Sequence, residues 1–226
     1  MSEKSENYSL VALKSIDTFA TKPPHDGKRE ALLLRKASYV NVIKLLDVEQ
    51  EKRGIMILVF PFMPYDYEYL LRNRLLSSAQ HKEAMRDLFR ALAHIHPLGI
   101  IHRDIKPSNL LMQSLNGPAY LADFGIAWSE SCDSTEPTSN KILEVGTTNY
   151  RPPELLFGCR EYNCSLDIWA AGCVFAEAVM GGATTLFESG SLGSELALVQ
   201  SIFMKLGTPD LKSWPVSMSS MPRITG

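Results

Sequence analysis

The chain has 226 residues and a mass of 25.2 kDa, 45% hydrophobic and 21% charged, enough to bury a core in one domain or two small lobes. Its 25 acidic and 23 basic side chains leave a net charge of −2, which gives no reason to expect a nucleic acid or an anionic membrane as partner. No apolar run reaches the roughly 20 residues of a membrane span, and the opening MSEKSENYSL has no signal-peptide core, so disordered, collagenous, membrane and secreted classes are excluded.

In chain order, Ser9 to Ile16 reads as a strand, with Val11 and Leu13 alternating against Ala12 and Lys14. Thr21 to Gly27 is rich in breakers and reads as a loop, and a helix is expected from about Lys28 to Lys36. Two more strands are expected, Val42 to Val48 and Ile55 to Phe60, so the first 60 residues make a small sheet with one helix. Beyond Pro61 helices take over. Met85, Leu88, Phe89, Leu92 and Ile95 mark one face of a helix that ends near Pro97 and Gly99. Short strands are expected at Leu110 to Met112 and Ala119 to Leu121. Ser129 to Lys141 is polar, lacks periodicity and is expected to be a mobile loop. Leu166 to Met180 is apolar almost all round, as a central helix would be, and a last helix spans Glu195 to Leu206 before Gly207 and Pro209. Cys132, Cys159, Cys164 and Cys173 form no CxxC pair, which fits reduced thiols in an intracellular protein rather than disulfides or a zinc site.

The chemistry concentrates in His102-Arg103-Asp104-Ile105-Lys106-Pro107-Ser108-Asn109 and, 19 residues after Asp104, in Asp123-Phe124-Gly125. Phosphoryl transfer asks for a carboxylate at the acceptor hydroxyl, oxygen ligands for magnesium and positive charge at the phosphates. Asp104 suits the first, Asn109 and Asp123 the second, and Lys106 the third. Upstream, Val11-Ala12-Leu13-Lys14 ends a strand on a lysine that an ion pair with Glu30 would hold against the α- and β-phosphates. Taken singly, each of these residues has a bland reading: Lys14 a solvated strand-end lysine, Asp123 a turn residue, Asp104 a loop acid. Their joint occurrence reverses those odds.

Together these segments resemble the eukaryotic protein kinases, and the similarity runs along nearly the whole chain. Lys44-Leu45-Leu46-Asp47-Val48, Leu58-Val59-Phe60, Leu156-Phe157-Gly158-Cys159 and Leu206-Gly207-Thr208-Pro209-Asp210 read like the cyclin-dependent kinases. Lys22-Pro23-Pro24-His25-Asp26 and Asn116-Gly117-Pro118-Ala119-Tyr120-Leu121 resemble the fungal single-subunit kinases that activate them. The resemblance implies an α+β, bilobal fold over residues 1–226, with a small β-rich lobe (1–62) and a helical lobe (63–226). It implies a serine/threonine protein kinase using ATP and Mg2+ inside the cell, in nucleus or cytoplasm. Its partners would be protein substrates, among them activation loops of cyclin-dependent kinases, with no nucleic acid or membrane involved.

By the same resemblance Phe60 is the gatekeeper and Pro61 and Met63 form the hinge. Ala12 and Leu111 sandwich adenine, and Asp66 faces the ribose. Leu34, Leu45, His102 and Phe124 form an apolar column between the lobes, with His102 a packing residue rather than a base. Asp167 bonds the backbone around His102 and Arg103, and Thr147 bonds Asp104 and Lys106.

Departures from the family pattern set further expectations. Only 13 residues precede Lys14, without a Gly-x-Gly-x-x-Gly, which should weaken nucleotide binding and leave the Lys14 strand with an unpaired edge. The chain stops shortly after Pro209-Asp210, so Glu154 should lack the arginine that pairs with it in the family. Both features together suggest an incomplete gene model or a splice product. Ile142 stands where the relatives carry an activating phosphothreonine. Glu136 or Asp133 is expected to face Arg103 in its place, with Thr138 and Ser139 remaining as hydroxyls open to phosphorylation. The helix of Glu30 reads KREALLL rather than a PSTAIRE-type cyclin-binding signature, which argues against cyclin dependence. Gly146 stands where proline-directed relatives shape a substrate pocket. The alternative reading is a catalytically inactive kinase-like scaffold, or an inactive fragment of a longer kinase.

Overall fold

A computed structural model describes residues 10–51, 54–132 and 136–209; the expectations attached to Ser9, Asp133 and Asp210 lie outside the described residues. The first sheet is antiparallel, with β1 (Val11–Asp17) and β2 (Asp47–Gln50) on either side of β3 (Ile55–Pro61). Exposure alternates residue by residue along β1, as the pleat requires, so Ala12, Lys14 and Ile16 turn inward. Among the described residues β1 is an edge strand. Helix α1 (Gly27–Lys36) starts where the Asp26 carboxylate accepts from the backbone N–H of Lys28 and Arg29 at 2.9 and 3.0 Å. Arg35 and Lys36 fill its last turn, where the helix dipole favours cations.

The strand expected over Val42 to Val48 forms only from Asp47 onward. Val42 and Ile43 are buried instead against the second sheet: Ile43 N–H donates to Leu121 O at 2.9 Å, and Leu121 N–H to Asn41 O at 2.8 Å. A short apolar run buries itself equally well in either setting, and here the second sheet takes it.

That second sheet runs β4 (Tyr65–Asp66), β5 (Leu110–Met112), β6 (Ala119–Leu121), antiparallel throughout. Around it lie α2 (Tyr67–Arg72), α3 (Ser78–Ile95), α4 (Pro153–Leu156), α5 (Ser165–Val179) and α6 (Glu195–Leu206). A reciprocal capping box between Ser77 and Gln80 opens α3, and Gly99, at φ +71°, turns the chain after Pro97. Ala84, Met85, Leu88, Ala91, Leu92 and Ile95 form the buried face of α3. Phe89, expected on that face, is exposed, and Ala84 and Ala91 supply the close packing instead.

The apolar α5 is likewise less enclosed than its composition suggests: Leu166, Ala170, Ala171 and Val174 are buried, while Ile168 and Phe175 are 47% exposed. One continuous core joins Leu33 and Leu34 of α1 to α3, β5, β6, Phe124, α5 and α6. Each fully buried leucine there contributes about 2 kcal/mol, so the two lobes share the packing that holds them together. No helix among the described residues is long and apolar enough to cross a membrane.

Candidate active site

Lys14 on the inner face of β1 meets Glu30 in the first turn of α1. Its Nζ lies 2.7 and 2.9 Å from the two Glu30 oxygens and 2.7 Å from Asp123 Oδ1. Glu30 is 1% exposed. Burial works against the Lys14 charge, yet the Glu30 and Asp123 carboxylates hold the ammonium above its ordinary value. Burial pushes the Glu30 carboxyl up, with Lys14 pulling it back. Burial opposes the Asp123 charge too, and Lys14 outweighs it, leaving that carboxyl below the usual range. Gly125 keeps the junction open, because a Cβ there would lie 3.2 to 3.3 Å from Asp123 Oδ1, Glu30 Oε2 and Lys14 Nζ.

The loop from His102 to Asn109 is set from below by Asp167 at the start of α5. This fully buried carboxylate accepts from His102 N–H at 2.8 Å and Arg103 N–H at 2.9 Å, as expected, and also lies 2.9 Å from His96 Nε2. His102 donates through Nε2 to Ala122 O at 2.9 Å and packs edge-on against Phe124 at 4.8 Å, so its ring is committed to structure. Leu34 and Phe124 are buried in the same core, with Leu45 packed against it.

Asp104 faces the cleft. Its Oδ1 accepts from Thr147 N–H at 3.0 Å and Thr147 Oγ1 at 2.8 Å; its Oδ2 lies 2.8 Å from Lys106 Nζ and 3.1 Å from Asn109 Nδ2. Lys106 Nζ also reaches Thr147 Oγ1 at 3.0 Å. Burial alone would raise the Asp104 carboxyl, but the Lys106 hydrogen bond and charge, with Thr147, hold it below the ordinary aspartate range. It is a carboxylate at neutral pH, ready to accept a proton. Arg103 and Asp123, at φ +69° and +63°, adopt left-handed backbone that few non-glycine residues take, and both flank this cleft.

With its Nδ2 bonded to Asp104, Asn109 has its Oδ1 left to offer. No group of three His, Cys, Asp or Glu side chains among the described residues forms a metal cage. Two hard oxygen ligands suit magnesium, which keeps several waters and takes the rest of its shell from phosphates.

Two cavities meet at Asp123. One, of about 330 Å³, is lined by Ala12, Lys14, Glu30, Phe60, Pro61, Met63 and Leu111. It therefore gathers every residue expected around a nucleotide except Asp66. Asp66 instead caps α2, accepting from Tyr69 N–H at 2.7 Å. Leu13, Ile43, Phe62 and Ala122 also line this space and carry no signal in the sequence that would single them out. The other cavity, of about 340 Å³, is bounded by Asp104, Lys106, Asp123, Thr147, Glu144, Gly146 and the loop residues Pro24 and His25. Gly146, at φ +76°, accepts through its carbonyl from Arg151 Nε at 3.0 Å.

Of the acids expected opposite Arg103, Glu136 is there, in an ion pair with its guanidinium. Ser129, Glu136 and Lys141 are buried, so the described residues on either side of 133–135 are anchored rather than mobile as their composition suggests. Glu154 has no ion pair among the described residues and meets Ser165 Oγ at 3.4 Å.

Residues 2–220 match the family described as protein kinase domain. The chain is 34% identical over 225 residues to serine/threonine-protein kinase csk1 of Schizosaccharomyces pombe, covering 97% of this chain and 71% of that protein. It is 39% identical over 220 residues to cyclin-dependent kinase 7 of Xenopus laevis, covering 94% of this chain and 59% of that one. Among solved structures it resembles a chain of the CAK complex from Chaetomium thermophilum bound to ATP-gamma-S, with a TM-score of 0.78 at 36% identity over 91% of this chain and 63% of that one. The yeast RNA Pol II CTD kinase CTDK-1 complex gives a TM-score of 0.78 at 31% identity, covering 92% and 65%. The chain thus spans from 59% to 71% of the length of these relatives.

Proposed function

As the chain belongs to the protein kinase family, we propose that it transfers the γ-phosphoryl group of ATP to serine or threonine hydroxyls of protein substrates. The observation that carries this reading is the shared edge of the two cavities. Lys14 and Asp123 close one side of it, and Asp104, hydrogen-bonded to Lys106, Asn109 and Thr147, closes the other.

Adenine lies between Ala12 and Leu111 in front of Phe60, bonded to the backbone of Pro61 and Met63. Lys14, steadied by Glu30, holds the α- and β-phosphates. Asn109 and Asp123 hold the Mg2+ that offsets phosphate charge when bound. Asp104 orients the acceptor hydroxyl and takes its proton as the oxygen bonds to the γ-phosphorus. The bond from that phosphorus to the β,γ-bridging oxygen breaks, and ADP leaves. Lys106 offsets charge on the transferred group, and Thr147 keeps Asp104 and Lys106 in register.

The substrates are activation loops of cyclin-dependent kinases, a reading supported by the resemblance of the Lys22–Asp26 and Asn116–Leu121 segments to fungal kinases with that role. The KREALLL sequence of α1 supports transfer without a cyclin, and the protein works inside the cell, in nucleus or cytoplasm.

A thermal-unfolding titration with Mg·ATP, followed by phosphoamino-acid analysis of a labelled protein substrate, tests the reading. Ligand at 100 times its Kd should stabilise the protein by about 2.7 kcal/mol, and label should appear on serine or threonine. Absence of both would reject it.

A further inference from the structure

We infer that Glu144 is a specificity-determining residue for phosphoryl transfer: its carboxylate selects protein substrates that carry a lysine or arginine next to the accepting serine or threonine. The inference rests on the kinase reading above and narrows its substrate class.

Glu144 stands at the apex of a tight three-residue turn, in which Val145 N–H donates to Leu143 O at 2.8 Å. Val145 is 1% exposed, in a cluster with Ile101, Trp128, Leu155 and Leu166, and Leu143 packs against the same cluster. With both neighbours turned into the core, the side chain between them is left exposed, and it lines the cavity that holds Asp104. The residues that follow are fixed one after another. The Gly146 carbonyl accepts from Arg151 Nε, and Thr147 bonds Asp104 Oδ1 through both its N–H and its Oγ1. Glu144 is therefore held at a set place relative to the carboxylate that meets the acceptor hydroxyl.

Each of the other carboxylates lining this cavity has a cationic partner. Asp104 lies 2.8 Å from Lys106 Nζ, and Asp123 lies 2.7 Å from Lys14 Nζ. Glu144 has neither an ion pair nor a side-chain hydrogen bond among the described residues. Pro24 and His25 complete the wall from the small-lobe side, and their loop is tied down. His25 N–H donates to Lys22 O at 3.0 Å, and Asp26 N–H donates to Gly125 O at 3.2 Å. Neither Pro24 nor His25 offers a carboxylate, so a cation entering beside the acceptor finds one unspent partner. An extended peptide advances about 3.4 Å per residue, so the residue next to the acceptor is the one that shares the cavity with it. A basic side chain there meets its counter-charge and an acidic one meets repulsion, so one carboxylate selects for the first and against the second.

The test uses synthetic peptides with a single serine, identical except for arginine, glutamine or glutamate next to it, in one set before the serine and in a second set after it. They are offered to the wild-type protein, Glu144→Gln and Glu144→Lys. In one of the sets the wild type should favour arginine over glutamine by about 5-fold in kcat/KM, the upper range for an exposed ion pair, and should disfavour glutamate. The difference should appear in KM for the peptide rather than in KM for ATP, and should shrink as salt is raised. Glu144→Gln should level the three peptides. Glu144→Lys should invert their order, a reversal that a merely structural role of Glu144 would not give. A wild type indifferent to the three peptides in both sets, or a Glu144→Lys variant that still prefers arginine, would overturn the inference. No transfer to any peptide by a wild type that binds Mg·ATP would instead count against the kinase reading. Fluorescence polarisation of the same peptides carrying a dye would then still decide the role of Glu144, by the order of their affinities and its inversion in Glu144→Lys.

Discussion

Lys14 and Asp123 are 109 residues apart in the chain and 2.7 Å apart in the fold, with Glu30 closing the third side of the junction. The small sheet, α1 and the segment after β6 meet at this point, and the shared core beneath them fixes the meeting. Two carboxylates around one ammonium make the junction charge-dense, so changes in a single member should be felt in both stability and chemistry.

Lys14→Met removes the only cation that the ion pairs give Glu30 among the described residues and leaves a buried carboxylate behind. Stability should fall by about 2 kcal/mol once the partial exposure of Lys14 is discounted, and transfer should be lost. Adding Glu30→Gln should return much of the stability and none of the transfer. Urea unfolding of the three variants measures the first, and a labelled-ATP assay the second.

A second buried pair lies away from both cavities. Arg72 Nη2 is 2.8 Å from Glu177 Oε2, and Glu177 is 1% exposed and also accepts from Leu186 N–H at 3.1 Å. Arg72→Met should cost about 3 kcal/mol, the effect of stranding a buried charge. Burial raises the Glu177 carboxyl, with Arg72 pulling it back. A raised carboxyl means that the folded state keeps a proton that the unfolded state releases, so stability falls as pH rises through and above the ordinary glutamate range. The Arg72→Met deficit should therefore be larger at pH 8 than at pH 5, as urea unfolding at the two values would show.

Gly146 and Gly158 make a controlled comparison, with φ of +76° and +79°. A Cβ on Gly146 would lie 2.9 Å from the Arg103 carbonyl oxygen, whereas one on Gly158 would meet nothing within 4 Å. Gly158→Ala should cost only the left-handed strain, about 1 kcal/mol. Gly146→Ala should cost more and also lower kcat, because its clash falls on the catalytic loop. Thermal unfolding and turnover of the two variants check this.

Much of this was legible in the sequence because the chemistry sits in short contiguous stretches. His102 to Asn109 and Asp123 to Gly125 carry their local geometry with them, and Leu110–Met112, Ala119–Leu121 and Glu195–Leu206 form where composition and punctuation place them. What was not legible depends on which surface a residue meets. Val42 and Ile43 are as apolar as a strand, and only the position of Leu121 draws them out of the first sheet. Phe89 obeys the helical period, yet alanines take the closest packing. Asp66 is drawn to the N-terminus of α2 by unsatisfied N–H groups. The aim of Glu136 at Arg103 was one of two options in the sequence, and its bonds to Ile142 and Trp128 belong to tertiary structure.

The pH dependence of turnover follows from Asp104. Lys106 and Thr147 outweigh burial and hold its carboxyl below the ordinary aspartate range, so it stays ionised from pH 6 to 8 and should impose no acid limb there. The stability it adds is present above the ordinary aspartate range and is lost as pH falls through the depressed value. Lys106→Met removes the main opposing influence and leaves burial in charge, so the acid limb should move upward. A kcat–pH profile of the two proteins checks both statements.

The most direct test of the central claim is transfer of label from γ-labelled ATP to a protein substrate by the wild type and by Asp104→Asn, with Mg·ATP binding followed in parallel. The wild type should transfer label, and Asp104→Asn should lose it by about 1,000-fold while binding Mg·ATP as before. Transfer by Asp104→Asn at the wild-type rate, or none by a wild-type protein that binds Mg·ATP, would contradict the account.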